Sequence, residues 1–242
     1  MTDKEIIITG TDVFPNGTAR PSSLQRYMQQ AAREDCDSVG CTYGFMRSIN
    51  MVFVVTKLGM RMFRPLKAGE RLTLRTYNNS VSGITFDREY EFIDGNGIEA
   101  AHCSSLWVIV RYDTRALVRP RDLPFELERA GREHYGIELP RSVSAEGAVK
   151  KESRVVRLSD LDENDHLNNC VYPDIALDCC GFFDGKSEYI SATDIIFRHE
   201  ARKDDVLSLS AKREGDKAFA FAFNENSDKP CFEAEFGFTP LP

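Results

Sequence analysis

The sequence predicts an α+β fold built as two tandem repeats, each an antiparallel sheet wrapped around a long helix. Three observations carry this. A helix-period apolar face (Leu24, Tyr27, Met28, Ala31, Ala32) gives way to segments whose apolar residues alternate with period two. The order of short strand, polar loop, helix and long strands then recurs after a charged, proline-punctuated stretch. Finally, Met62-Phe63-Arg64 is echoed by Ile196-Phe197-Arg198, each ahead of a charged turn and a strand. The expected division is a first repeat over residues 1–113, a bridge over 114–151 and a second repeat over 152–242.

Taken in order, Ile6-Ile7-Ile8 reads as a strand and Pro15-Asn16-Gly17 as a turn. Pro21-Ser22-Ser23 opens a helix that runs toward Val39, because proline is tolerated in a helix's first turn. Leu58, Met60 and Met62 alternate with Lys57, Gly59 and Arg61, and Leu72 and Leu74 alternate with Arg71, Thr73 and Arg75. Ile84, Phe86, Tyr90 and Phe92 share a face opposite Thr85, Asp87, Glu89 and Glu91. Asp94-Gly95-Asn96-Gly97 is a hairpin turn leading into a strand from Ile98 to Tyr112. The bridge carries Pro120, Pro124 and Pro140, with a short helix expected between Phe125 and Tyr135. Val155-Val156 then reads as a short strand. A helix is expected from Cys170 to Phe183, with Val171, Ile175, Cys179 and Phe183 on one face. Strands are expected at Tyr189–Arg198, Val206–Lys212, Ala218–Phe223 and Cys231–Phe238. A sheet curled around one buried helix is the hot-dog arrangement, here expected twice.

The composition narrows the function classes. A hydrophobic share of 42% with 29% charged residues is an ordinary globular balance. No apolar run approaches the ~20 residues that cross a bilayer. The start, Met1-Thr2-Asp3-Lys4-Glu5, has neither a basic signal region nor an acid-poor leader composition, so a cytoplasmic protein is expected. A net charge of −7 argues against nucleic acid, which needs a concentrated basic face. Seven cysteines, an odd number with no C-x-x-C pair, read as reduced and mostly buried thiols. No metal and no organic cofactor is expected.

The chemistry concentrates in Asp162-Glu163-Asn164-Asp165-His166. If this stretch is extended, Asp162, Asn164 and His166 leave the same side about 6–7 Å apart. Asn168 or Asn169 is the expected N-cap of the helix that follows, whose first N–H groups are available to a developing oxyanion. The ordinary alternative for such residues is an Asx turn and polar surface.

The run Asp160-Leu161-Asp162-Glu163-Asn164-Asp165-His166-Leu167-Asn168-Asn169 resembles the signature of the fatty acyl-ACP thioesterases of plants and bacteria. That pattern, D-x-N-x-H-x-N-N-x-x-Y, is matched at every named position through Tyr172. Further likeness lies in Phe197-Arg198-His199-Glu200, in Asp205-Val206-Leu207-Ser208, in Phe53-Val54-Val55-Thr56-Lys57 and in Ser105-Leu106-Trp107-Val108. It extends from about Asp12 to Phe238. The resemblance implies a double hot-dog fold and release of a free fatty acid from acyl carrier protein. It implies Asp162, Asn164, His166 and Glu200 as the catalytic set. Many relatives carry a cysteine after the glutamate, where this chain has Ala201.

The duplication is asymmetric. Aligning Phe63-Arg64 with Phe197-Arg198 sets Leu66 opposite Glu200, and the loop from Asp12 to Ser23 has no histidine. A single site in the second repeat follows, with the first repeat free to hold an acyl chain. Met28, Ala32, Met60 and Trp107 are candidates to line that cavity, with plain core as the alternative. The carrier is acidic, so docking calls for a local basic patch; Lys150, Lys151, Arg154 and Arg157, with Arg198 and Arg202, are its candidates. His102, His134 and His199 match no motif and read as structural or surface residues. The competing readings are an acyl-CoA thioesterase and a non-catalytic acyl-thioester-binding module. Homodimer formation is left open by the sequence.

Overall fold

The computed structural model describes residues 1–242 apart from 128, 132–136, 140 and 182–186. The elements of the first repeat are β1 (Thr2–Ile7), α1 (Pro21–Ser38), α2 (Tyr43–Ser48), β2 (Met51–Met62), β3 (Arg71–Ser82), β4 (Thr85–Asp94), β5 (Glu99–Arg111) and β6 (Leu117–Val118). Those of the second are β7 (Val149–Val155), α3 (Tyr172–Cys180), β8 (Glu188–Phe197), β9 (Val206–Glu214), β10 (Lys217–Asn224) and β11 (Lys229–Pro240).

One continuous antiparallel sheet runs β1-β3-β4-β5-β2-β8-β11-β10-β9-β7, with β6 paired to β5. Read inward from either edge, the two halves have the same order, and each carries its long helix between its first and second strands. This is the hot-dog arrangement in duplicate. The halves meet where β2 pairs with β8, in register from Lys57↔Ile196 to Arg61↔Ala192. Arg61 clamps that seam by donating two hydrogen bonds to Asp194, at 2.9 and 2.8 Å. Gly59 faces the same spot: a Cβ there would come within 2.5 Å of Leu139 and 2.8 Å of Asp194 and Ile137, so any larger residue would have to displace these side-chain ends.

α1 buries Leu24, Met28, Ala31 and Ala32, as its spacing predicts. These pack into one core that continues through Leu58, Met60, Phe92, Ile175, Ala176 and Phe236. On β10 it is Ala218, Ala220 and Ala222 that enter this core, leaving room for α3. Phe219 occupies the other face beneath the Lys212 ammonium, 5.0 Å from the ring centroid.

Several local expectations change. The stretch Asp162–Asp165 is a turn rather than an extended segment, and the turn brings Asp162, Asn164 and His166 to one cleft. The last helix starts at Tyr172 with Val171 as N-cap, not at Asn168 or Asn169, because Pro173 fixes the first helical turn. It ends at Cys180, with Gly181 left-handed at its cap; the expected extension to Phe183 lies outside the described residues. Val155 closes a strand that begins at Val149. The helix expected between Phe125 and Tyr135 falls partly outside the described residues, and 125–127 and 129–131 are not helical. The six-residue α2, capped by a hydrogen bond from the Phe45 N–H to Thr42 Oγ1 (3.1 Å), is too short for periodicity to reveal.

Candidate active site

The loop before α3 is a copy of the loop before α1, bond for bond. In the first repeat the Phe14 N–H donates to the Thr18 carbonyl, and in the second Asp162 N–H donates to the His166 carbonyl, both at 2.8 Å. Gly17 N–H donates to Phe14 O and Asp165 N–H to Asp162 O. Gly17 and Asp165 both have left-handed backbones, with φ of 80° and 59°. Ala19 N–H reaches the Leu66 carbonyl and Leu167 N–H reaches the Ala201 carbonyl, again at 2.8 Å. These bonds set Leu66 opposite Ala201 and Pro65 opposite Glu200, one residue away from the pairing that Phe63-Arg64 suggests.

On this inherited turn, Phe14 corresponds to Asp162, Asn16 to Asn164 and Thr18 to His166. Asp162 acts within the turn: its Oδ1 accepts from the N–H groups of Asn164 (2.8 Å) and His166 (3.3 Å). The Asx-turn reading and the functional one therefore apply to the same residue. Asn164 is held by the first repeat, since Tyr43 Oη lies 2.8 Å from its Oδ1. Arg47 donates to the same hydroxyl at 3.0 Å, so the hydroxyl proton goes to Asn164 and the amide N–H groups remain as donors.

Glu200 meets His166 across a short gap between the turn and the end of β8. His166 Nε2 is 3.2 Å from Glu200 Oε1. Arg202 Nη2 is 3.2 Å from the same oxygen, and Arg115 Nη2 is 3.0 Å from Oε2. The His166 hydrogen bond, opposed by burial and helped by the charges of His166 and Arg115 and by Arg202, lowers the Glu200 pKa to about 2. An ionised carboxylate only accepts, so the proton between them sits on Nε2. Arg115 also comes within 3.3 Å of that nitrogen, but its N–H is then directed to the carboxylate.

These residues line a cleft of about 640 Å³ that includes Asp162, Asn164, His166, Tyr172, Glu200 and Lys229. A second pocket of about 180 Å³ enters the first repeat and shares Val52, Phe53 and Asn164 with the cleft. Ala32 and Trp107 line this second pocket, whereas Met28 and Met60 lie in the continuous core and line neither. Arg198 and Arg202 line the cleft. Lys150, Lys151 and Arg154 lie on β7 at the sheet edge, with Arg157 just after it. Most of these cations have acidic neighbours: Lys150 faces Glu225 (3.7 Å), Arg154 Asp160 (2.8 Å) and Arg198 Glu233 (2.7 Å).

No cysteine lines the cleft with His166 and Glu200. Burial raises the pKa of every thiol in the chain, to about 12 at Cys170, Cys180 and Cys231. Ala201 is fully buried. Among the described residues no three His, Cys, Asp or Glu side chains converge as a metal ligand set, and no helix is long and apolar enough to cross a membrane. His199 Nδ1 lies 3.0 Å from the Pro230 carbonyl, and His134 is outside the described residues. Sequence reasoning missed Tyr43, Arg47 and Arg115; none stands in a motif.

Residues 1–123 match the acyl-ACP thioesterase N-terminal domain model and residues 144–238 the C-terminal domain model. Over 228 residues the chain is 22% identical to oleoyl-acyl carrier protein thioesterase 1, chloroplastic, of Arabidopsis thaliana, covering 84% of this chain and 61% of that protein. The chain thus spans about 61% of the length of that relative. A putative oleoyl thioesterase from Lactobacillus plantarum superposes with a TM-score of 0.81 at 21% identity, covering 99% of this chain and 96% of the other. The 12:0-ACP thioesterase of Umbellularia californica gives a TM-score of 0.82 at 19% identity, covering 99% and 97%. These superpositions carry the fold, and the two domain models carry the family: the chain belongs to the acyl-ACP thioesterase family.

Proposed function

We propose that the chain hydrolyses the thioester of a fatty acyl group on acyl carrier protein, releasing the free acid and ending chain elongation. The observation that carries this reading is the convergence of Asn164, His166 and Glu200 on a cleft that continues into an inner pocket of the first repeat. With its pKa at about 2, Glu200 is a poor acceptor for a proton from water. It serves instead to hold the Nε2–H of His166 and to stabilise the imidazolium. Nδ1 makes no hydrogen bond among the described residues and is the acceptor for the proton of the attacking water. The oxyanion forming on the carbonyl takes a hydrogen bond from the Asn164 amide. Collapse expels the thiolate, a good leaving group because free thiols ionise near ~8.5. Asp162 keeps the turn that carries both side chains.

In this reading the second repeat, 152–242, supplies the chemistry, the first, 1–113, holds the acyl chain, and 114–151 joins them. The setting is cytoplasmic and the partner is the acidic carrier, met by the basic residues of β7 and by Arg198 and Arg202. The test is hydrolysis of one acyl series, short to long, on acyl carrier protein and on coenzyme A. Faster turnover on the carrier supports the proposal. Equal or faster turnover on coenzyme A makes the chain an acyl-CoA thioesterase, and binding without turnover makes it an acyl-binding module. Reversing the charge of Lys150, which is exposed, together with Lys151 should lower turnover on the carrier several-fold and leave a small neutral thioester untouched. Equal losses on both substrates reject docking at β7.

A further inference from the structure

Arg115, a neighbour of the His166–Glu200 pair, has a strained backbone. It lies between β5 and β6, and its φ of 59° is left-handed, a conformation that costs free energy for any side chain with a Cβ and nothing for glycine. The connection itself does not call for arginine. It is closed by main-chain pairing of Ile109 with Val118 and of Val110 with Leu117, and by the Arg115 N–H donating to the Arg111 carbonyl at 2.9 Å. Glycine would make all of these bonds. A strained residue that backbone geometry does not explain points to its side chain.

That side chain crosses from the β5–β6 connection to the pair in the second repeat, with Nη2 3.0 Å from Glu200 Oε2 and 3.3 Å from His166 Nε2. It is supported from behind. The Arg115 guanidinium lies 5.6 Å from the Tyr112 ring centroid, and Arg47 stacks on the same ring at 3.3 Å. Arg47 in turn donates to Tyr43, whose hydroxyl holds Asn164. Tyr43, Arg47, Tyr112 and Arg115 thus form a row that reaches the turn at one end and Glu200 at the other.

We infer that Arg115 is a positioning residue for the hydrolysis: its guanidinium fixes the Glu200 carboxylate so that the other oxygen accepts from His166 and leaves the second imidazole nitrogen for water. This rests on the hydrolase reading above and adds that the start of the joining segment completes the site. Glu200 is faced by His166 from the turn, by Arg115 from the β5–β6 connection, by Arg202 from its own loop and by Tyr172 of α3 behind. Of the two guanidinium groups, that of Arg202 contacts Oε1 alone and its side chain is 65% exposed. Arg115 contacts both members of the pair.

The experiment compares Arg115→Gly and Arg115→Lys with the parent. Glycine relieves the backbone, so the thermal midpoint should hold or rise while kcat falls about 10- to 100-fold at a nearly constant KM. Lysine keeps the charge near that oxygen but carries it on a flexible stem without the planar guanidinium, so its kcat should be intermediate. Millimolar methylguanidinium should restore part of the kcat of Arg115→Gly. In a Glu200→Gln background Arg115→Gly should cost little more, because the residue acts through that carboxylate. A carbon-13 titration of the Glu200 carboxyl, assigned with Glu200→Gln, should move upward in Arg115→Gly and needs no turnover. Unchanged kcat in Arg115→Gly, an equal loss in both backgrounds, or an unmoved carboxyl titration overturns the inference. A parent that hydrolyses no acyl thioester defeats the hydrolase reading instead, and the carboxyl titration then decides alone whether Arg115 holds Glu200.

Discussion

At Ala201 a methyl group stands where the resemblance leads one to expect a thiol, and the surrounding residues leave no substitute for it. The chain's thiols are raised by burial, and none lines the cleft with the His166–Glu200 pair. In the proposed reaction water is therefore the nucleophile, and the carboxylate acts through its charge. Glu200→Gln keeps the shape and one acceptor oxygen but loses the anion that stabilises the imidazolium, so kcat should fall by roughly 10²-fold or more. A folded variant lacking all seven cysteines should keep substantial activity. A trapped acyl-cysteine, or full activity in Glu200→Gln, would reverse this assignment. The residues that sequence alone exposes are those inside a local pattern: Asp162, Asn164 and His166 by spacing, Glu200 by its segment. Tyr43 touches Asn164 across 121 positions, and Arg115 touches His166 across 51, so no spacing argument links them.

At the scale of elements, periods of 2 and 3.6 are local properties and made most strands and both long helices legible. The errors fall where a single residue sets the backbone. Pro173 delays the last helix, and the left-handed Asp165 turns a stretch that its alternating polar residues suggest is extended. Burial adds a feature that patterning gives only as a charged face. His102 on β5 is completely enclosed, with Nδ1 2.6 Å from Glu99 and Nε2 2.9 Å from Glu89. Burial alone would lower its pKa, but hydrogen bonds to Glu89 and Glu99 and their charges outweigh it and raise the value to about 9. Because the folded value lies above the unfolded one near 6.5, this stabilisation is complete below pH ~6.5 and is lost as pH rises through 9. It amounts to roughly 3 kcal/mol at most. The midpoint of thermal unfolding should therefore decline between pH 7 and 9.5, and in His102→Gln that decline should flatten. Parallel curves for parent and variant would remove the buried imidazolium.

At the scale of the molecule, duplication accounts for the division of roles proposed for the two halves. The same hydrogen-bonded turn carries Phe14, Asn16 and Thr18 in one repeat and Asp162, Asn164 and His166 in the other, so the scaffold is shared and the chemistry is not. The first repeat instead opens the inner pocket beside Asn164, where the carbonyl is expected to sit. Its volume of about 180 Å³ is small beside the 640 Å³ of the cleft, which makes every methylene position count. Ala32 stands on α1 with its side chain toward that space, and Trp107 stands across on β5. Each methylene denied burial costs ~0.8 kcal/mol, about a fourfold change in kcat/KM. Ala32→Phe should fill part of the pocket and move the optimum of an acyl-ACP series toward shorter chains, with little change for the shortest substrate. Met28→Leu and Met60→Leu, which repack the core at positions that line neither cavity, should leave the profile where it was. Folding of each variant is checked by its thermal midpoint. If folded Ala32→Phe keeps the parent profile, the acyl chain does not enter between α1 and β5, and selectivity must be sought along the cleft beyond Phe197 and Lys229.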